Sequence, residues 1–445
     1  MDKNELKRKC LETIDQYKDQ IIALGEDIYK TPELGYKEFK TTERVAAAFR
    51  DNGLEPETEI AYTGCKVSTP KQDGPRVSVM GELDCVVCAE HPHCITNGNI
   101  HACGHNVQLA NLFGCTMGIM KSGVMAELSG GVDFIAIPAE ECVDIEYRDS
   151  LIADGKIQFY GGKQEYLRRG GLDDVDMILQ CHMLEMEDKN KLCTVSTDTN
   201  GFITKTVHFI GEGAHAGFAP SKGINALNMA ELALNNIHAL RETFRDEDKV
   251  RVSAIITEGG GLLNVVPASV RMEIMVRAFS LEAMMDASHK VDRALKAGAL
   301  AIGGKVEIRQ KIGYLPMKAD RRLSRIYRQN MIDFAGANED SFIEVYETAG
   351  STDLGDMSQL KPCMHVWSGG VTGGLHTKDY RLTDQEAAYI LPAKMLALTI
   401  IDLLYDGAKE AKAILENYHP SFTKDSYLEF MKANSKVELF DSSAL

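Results

Sequence analysis

Apolar residues recur at three- and four-residue spacing from the start of the chain, at Leu6, Cys10, Ile14, Tyr17, Ile21 and Leu24. That period predicts an amphipathic surface helix. The texture then changes. RVSVMGELD (76–84) reads as a strand leading into a loop rich in Cys, His, Pro and Asn, which runs to Gly98 and is followed by IHACGHN (100–106). The segment after His105, NVQLANLFGCTMGIMKSGVM, has helical length and composition, which sets His105 near a helix N-terminus. GGVDFIAIPAEE predicts a strand running from turn glycines to a carboxylate pair, Glu140 and Glu141, and DMILQCHM repeats the pattern, ending at His182. Strands alternating with helices indicate an α/β layer, in which functional groups collect beyond the carboxyl ends of the strands.

Between about 200 and 314 the order is different. FITKTVHFIGEG alternates like a strand, INALNMAELALNNIHAL is helical, and VRVSAIITEGGG, SVRMEIMVRAF, a second helix and KVEIRQKI follow. The β-α-β-β-α-β order is that of a ferredoxin-like sandwich inserted as a unit. A chain of 445 residues also exceeds what one core serves. The expected organisation is therefore a two-domain α/β protein. Residues 1–199 and 315–445 build a catalytic domain with a central sheet, and 200–314 form an inserted α+β domain.

Composition removes several function classes. The apolar share of 44% and charged share of 26% are those of an ordinary globular protein, and no apolar run suggests a membrane span. A formal charge of −16 argues against nucleic acid as the main partner. The opening MDKNELKRKC lacks the apolar stretch of a signal peptide, so a cytoplasmic location is expected, and the 11 cysteines read as reduced thiols.

Cys103, His105, Glu141, His182 and His376 together offer one thiolate, three imidazoles and one carboxylate. That set suits two metal ions sharing a bridging ligand, and of the pair Glu140 and Glu141 one can bind metal while its neighbour moves a proton. Two other readings compete. Cys103 could be a nucleophile with His101 or His105 as its base. Alternatively Cys85, Cys88, His91, His93 and Cys94, in CVVCAEHPHC, could hold a structural metal. The first gives no reason for paired glutamates and distant histidines, and the second lacks a completing C-x-x-C, which leaves a loop rimming the active site.

HACGHN, PAEE, the isolated His182, GEGAHAG, GGGLLNVVPASV, GSTDLGD and GGLHTKD occur in the order found in the metal-dependent amidohydrolases of the aminoacylase and carboxypeptidase superfamily. GELD ahead of CGHN and the tail HPSFTKDSY make the chain most similar to the p-aminobenzoyl-glutamate hydrolase-like branch. The resemblance implies two divalent metal ions per chain, zinc or manganese, with cobalt and nickel also compatible with the mixed shell. It implies Cys103 as bridging ligand, His105 as a terminal one, Glu141, His182 and His376 completing both shells, Glu140 as general base, and Asp84 behind a ligating imidazole. His215 and Asn264 match positions that reach the substrate's carbonyl or carboxylate, often across a dimer interface, and Arg277 matches a lid position suited to carboxylate. The implied enzyme is a homodimer, paired through the inserted domain, that cleaves N-acyl or N-aroyl amino acids or dipeptide-like amides. A true dipeptidase and an inactive metal-binding or regulatory relative are the alternatives. Two departures stand out: the long 84–94 segment replaces the family's short turn, and Asn106 stands where Asp is more widespread.

Overall fold

The computed structural model describes residues 1–70 and 72–444. Its contacts divide the chain into two compact units, one comprising 1–198, 318–347 and 356–421, the other 199–317, 348–355 and 422–445.

The first unit is built on a mixed sheet. Four strands at its centre run parallel, in the spatial order Gly131–Ile137, Arg76–Glu82, Met177–Glu185, Cys363–Thr372. Gly64–Ser68 and Glu57–Ile60 add antiparallel on one side, and Cys193–Thr199 and Phe342–Thr348 lie on the other. All seven residues of Gly131–Ile137 are buried, as are nearly all of Arg76–Glu82. Layers on both faces leave parallel strands continuously apolar, and these two carry that signature. The chain passes from Arg76–Glu82 to a neighbour on one side and then to Met177–Glu185 on the other, so the strand order reverses there. Loops beyond the carboxyl ends open a crevice at such a reversal.

Helices supply the covering layers. Lys3–Gln16 and Lys18–Tyr29 are two helices broken at Tyr17, where the sequence pattern predicts one. The apolar stripe survives the break, because Leu6, Cys10, Ile14 and Ile21 are fully buried. The helix His105–Lys121 is buried along almost its whole length, which explains its composition. Among the described residues one helix, Glu386–Glu416, is long and apolar enough to cross a membrane by length and composition, although the chain reads as having no such run. It is mostly buried, and its backbone leaves helical geometry at Tyr405–Ala408. It is a core helix of this unit.

The second unit has strands in the order Arg251–Glu258, Ser269–Ala278, Gly201–Ile210, Lys305–Ile312, all antiparallel, with the helices Ala226–Ala239 and Leu281–Ile302 packed on the sheet. This is the strand order of a ferredoxin-like sandwich. A fifth strand, Lys436–Asp441, pairs with Lys305–Ile312 in register from Lys305↔Asp441 to Gln310↔Lys436. Residues 422–444 therefore belong to this unit, as do 315–317 and 348–355, and the expectation that all of 315–445 returns to the first is corrected. KVELFD alternates as an edge strand does, but its partner lies some 130 residues upstream, beyond the reach of local pattern.

Candidate metal centre and active site

The site residues sit where the parallel strands end. Arg76–Glu82 delivers Glu82 and Asp84, and Gly131–Ile137 runs through Pro138 and Ala139 to Glu140 and Glu141. His376 follows Cys363–Thr372. His182 lies within Met177–Glu185, which continues three residues past the end predicted for it. Cys103, Gly104 and His105 form the entry to the helix His105–Lys121. Gly104 takes φ +80°, which lets the chain turn so that the residues on either side face one point. Two non-glycine residues here are also held in left-handed backbone, Ala139 (φ 57°) ahead of the glutamates and His376 (φ 61°). Such conformations cost roughly 1–3 kcal/mol and persist where surrounding structure enforces them.

Three sets of ligand-type atoms converge, each with its atoms within 4.8 Å of one another: Cys103, His105 and His182; Cys103, Glu141 and His376; and Glu82, His105 and Glu140. The first two share the Cys103 thiol. Its Sγ is 3.2 Å from His376 Nε2 and 3.5 Å from His182 Nε2, and His376 Nε2 lies 2.8 Å from Glu141 Oε1. His105 Nδ1 donates to the carbonyl (2.9 Å) and carboxylate (3.1 Å) of Asp84, which turns Nε2 into the site; burial lowers this imidazole, but Cys103 and Glu82 outweigh it and hold it well above its ordinary value until a cation takes the proton's place. The other Asp84 oxygen accepts the Glu141 backbone N–H at 2.8 Å. One buried carboxylate thus fixes an imidazole and the backbone of a neighbouring acid.

These donors fit metal ions. His105 Nε2 and Glu141 Oε1 are buried with no hydrogen bond of good geometry, and their near neighbours are other ligand-type groups, His376 Nε2 at 2.8 Å from Glu141 and Glu82 at 3.1 Å from His105. Buried polar atoms are ordinarily satisfied, so ligand-type atoms of acids, imidazoles and a thiol crowded on one another mark a place for cations. Burial, reinforced by the Glu141 carboxylate, pushes the Cys103 thiol well above its ordinary value. Thiolate there requires a cation. Burial holds His182 down to about 4, so its imidazole is neutral, as a ligand must be. Burial also pushes the Glu141 carboxyl up, but His376 and His105 outweigh it and leave the group below the usual range.

Glu82 has no place among the residues expected from the sequence. Both it and Lys163 are fully buried, and its carboxylate accepts from Lys163 Nζ (2.6 Å), Gln180 Nε2 (2.7 Å) and Gln108 Nε2 (2.7 Å) while lying 3.1 Å from His105 Nε2. Burial raises its carboxyl, but the Lys163 ammonium, His105 and His182 outweigh it and hold the group well below the carboxylate range. The signal in the sequence is an acid inside an apolar strand, two residues before Asp84.

The competing readings fare unequally: of the two bases weighed for a Cys103 nucleophile, His105 does stand beside that thiol, and His101 does not serve. Both ring nitrogens of His101 are buried without a hydrogen-bond partner, so it is no base to Cys103. Cys85, Cys88, His91, His93 and Cys94 form no metal-ligand group among the described residues. Their segment is closed by a short pairing of Val86–Val87 with Asn99–Ile100, and His91 Nε2 lies 3.0 Å from the Tyr380 carbonyl. Asn106 faces the helical layer, donating to Gly25 O and Tyr389 Oη.

The second unit brings His215 and Asn264 together. His215 bridges Val265, and Ala216 N donates to Asn264 O at 2.9 Å. His215 Nδ1 accepts from the backbone N–H groups of Gly217 (3.2 Å) and Phe218 (3.1 Å), which sets the ring proton on Nε2 of an exposed imidazole. Arg277 lies apart from this pair in its contacts, donating to Ala349 O and Ser351 Oγ, with its guanidinium 5.5 Å from the Phe202 ring centre.

Comparison with known proteins agrees with this chemistry. Residues 79–402 match the family model for peptidase family M20/M25/M40. The chain is 26% identical over 416 residues to the Xaa-Arg dipeptidase of Mus musculus, covering 91% of this chain and 90% of that one. It is 24% identical over 405 residues to the N-acetylcysteine deacetylase of Bacillus subtilis, covering 86% of this chain and 97% of that one. In fold it is similar to a dinuclear metal-binding peptidase of the M20 family from Bacillus subtilis, with TM-score 0.67, 21% identity, and 88% and 99% of the two chains covered. With its family match running from the strand before Asp84 to the last core helix, the chain belongs to peptidase family M20/M25/M40 and is a metal-dependent enzyme that hydrolyses amide bonds.

Proposed function

We propose that this chain is a dinuclear hydrolase of N-acyl or N-aroyl amino acids or of dipeptide-like amides. The observation that carries the reading is the pair of ligand trios that share the Cys103 thiol, with Glu140 beside the ligand Glu141. Cys103, His105 and His182 would hold one divalent ion, and Cys103, Glu141 and His376 the other. Zinc and manganese both accept this mixed shell, and cobalt and nickel do as well. The ions supply Lewis acidity, which polarises a carbonyl and makes water acidic near neutral pH.

The remaining chemistry belongs to side chains. Glu140, buried and within reach of His105, takes the proton of the attacking water and returns it to the departing amine. Asp84 keeps His105 in the tautomer whose Nε2 can ligate. His215, with its proton on Nε2, is the donor for the developing oxyanion, and Asn264 beside it and Arg277 are substrate contacts, Arg277 for a carboxylate. An oxyanion donor of this kind contributes about 3–4 kcal/mol to the transition state.

The inserted unit is assigned the part of lid and dimerisation element. Arg251–Glu258 forms an edge of its sheet and exposes Ile255 and Ile256, a strand edge suited to pairing with a second copy. A cytoplasmic location belongs to the same reading. Dipeptide cleavage is the second reading within it, supported by the near full-length match to Xaa-Arg dipeptidase. The experiment is a screen of metal-reconstituted protein against N-acyl amino acids, p-aminobenzoyl-glutamate and dipeptides, with released amine as readout. Turnover of blocked amides over dipeptides is expected. Turnover of dipeptides alone, with the free α-amine required, would replace the first reading by the second.

A further inference from the structure

The sequence has one tryptophan, and the fold sets it against a metal-ligand histidine. Trp367 lies directly opposite His182 in the parallel pairing of Cys363–Thr372 with Met177–Glu185, so the two side chains share a face of the sheet. Their rings are 4.5 Å apart and inclined by 28°, a stacked arrangement. The indole is itself held. Its Nε1–H donates to His365 Nδ1 at 3.4 Å, its backbone N–H donates to Thr194 Oγ1 at 2.9 Å, and Tyr346 packs on it at 5.7 Å. His182, in contrast, has only a local restraint on its far nitrogen, the Met183 backbone next to it in sequence. Nothing in that contact fixes the tilt of the imidazole plane.

His365 points the same way. Because its Nδ1 accepts from the indole, its proton sits on Nε2, and that buried atom has no hydrogen-bond partner. A buried unsatisfied donor is costly, and an apolar residue would fill the same volume without that cost. Packing alone does not explain the pair. A group that orients the indole does.

We infer that Trp367, pinned by His365, is a positioning residue that sets the plane of the His182 imidazole for metal binding, which makes this tryptophan an optical reporter of metal occupancy. The inference rests on the metal centre proposed above. Partners that orient a ligating histidine typically contribute a factor of 10–100 to metal affinity. Two measurements test it. In the wild-type protein stripped of metal, titration with Co²⁺ should quench tryptophan emission saturably, with a midpoint that matches binding measured by competition with a chromophoric chelator. By the same competition, Trp367→Leu should weaken Co²⁺ binding by roughly 10–100-fold, whereas Trp367→Phe, which keeps a ring to stack, should stay within about threefold of wild type. Phe and Leu variants of equal affinity would reduce Trp367 to filler. Emission indifferent to Co²⁺ that elemental analysis finds bound would also overturn the inference, and that measurement needs no variant to fold. Wild-type protein that binds no metal would instead remove the metal centre, and this inference with it.

Discussion

Replacing Asp84 by Asn probes the join between fold and chemistry with almost no change of shape. The side chain is fully buried and accepts two bonds, from His105 Nδ1–H at 3.1 Å and from Glu141 N–H at 2.8 Å. Asn offers one acceptor, so its amide must face one of these donors with a donor. With its Oδ1 on Glu141 N–H, Asn would turn Nδ2 toward His105, whose Nδ1–H keeps the backbone carbonyl at 2.9 Å, so the cost is the lost carboxylate bond and the change of the surviving one from charge-assisted to neutral, together roughly 1–3 kcal/mol. Part of this returns in the metal-free protein. The Glu38 carboxyl, pushed up first by burial and then by the Asp84 charge, is relieved when that charge goes. The loss therefore falls mainly on the metal-loaded state. If about 2 kcal/mol of it is felt in binding, metal affinity drops roughly 30-fold. The assay is chelator competition together with thermal unfolding with and without metal. The variant should bind metal more weakly and gain less thermal stability from it, with a smaller change in the metal-free melting temperature. Unchanged affinity and an unchanged metal-induced shift would refute the reasoning.

Glu140→Gln keeps the volume of the side chain and removes its basicity, so metal content should persist by elemental analysis while turnover falls by roughly 10²-fold or more; retained turnover would assign the proton transfer to another group. Gly104→Ala sets a Cβ 2.6 Å from Tyr380 Oη in a left-handed backbone, at a conformational cost of roughly 1–2 kcal/mol. Both melting temperature and metal content should fall, and a variant that matches wild type in both would show the turn to be dispensable. For Glu38, burial raises the folded carboxyl to about 8, above its unfolded value. Its contribution is fully present below the unfolded value and is lost as pH rises through about 8. Glu38→Gln should therefore flatten the fall in stability of metal-free protein over that window, seen in urea unfolding at the acid and alkaline ends of it, and an unchanged slope would contradict the assignment.

Local pattern disclosed much of this molecule, and its limits are physical. Apolar strand-like stretches followed by acids or histidines located the regions where strands end to within a few residues, His182 standing three residues inside its strand and Glu141 and His376 four residues beyond theirs. Glu82 was not legible, because a charge inside an apolar strand is explained by Lys163, 81 residues away, with Gln180 and Gln108, partners that a linear reading cannot pair with it. Trp367 escaped for the same reason: its meaning lies in its register with His182 on another strand. The break at Tyr17 left no trace in the spacing, since the stripe that buries Leu6 through Leu24 continues across it. The apolar span from 386 shows the converse. Its composition alone suits a membrane, and only its packing and the irregular backbone at Tyr405–Ala408 identify a core helix.

The central claim is that one thiol joins two metal positions, and counting metal in Cys103→Ala tests it most directly. Cys103 belongs to both trios, so its removal leaves each with two protein ligands, one pair of imidazoles and one of an imidazole with a carboxylate. Elemental analysis of metal-reconstituted protein should give two transition-metal equivalents per chain in the wild type and a marked loss from both positions in Cys103→Ala, with activity lost in parallel. Two equivalents retained in the variant, or a single equivalent in fully active wild-type protein, would contradict a shared thiolate.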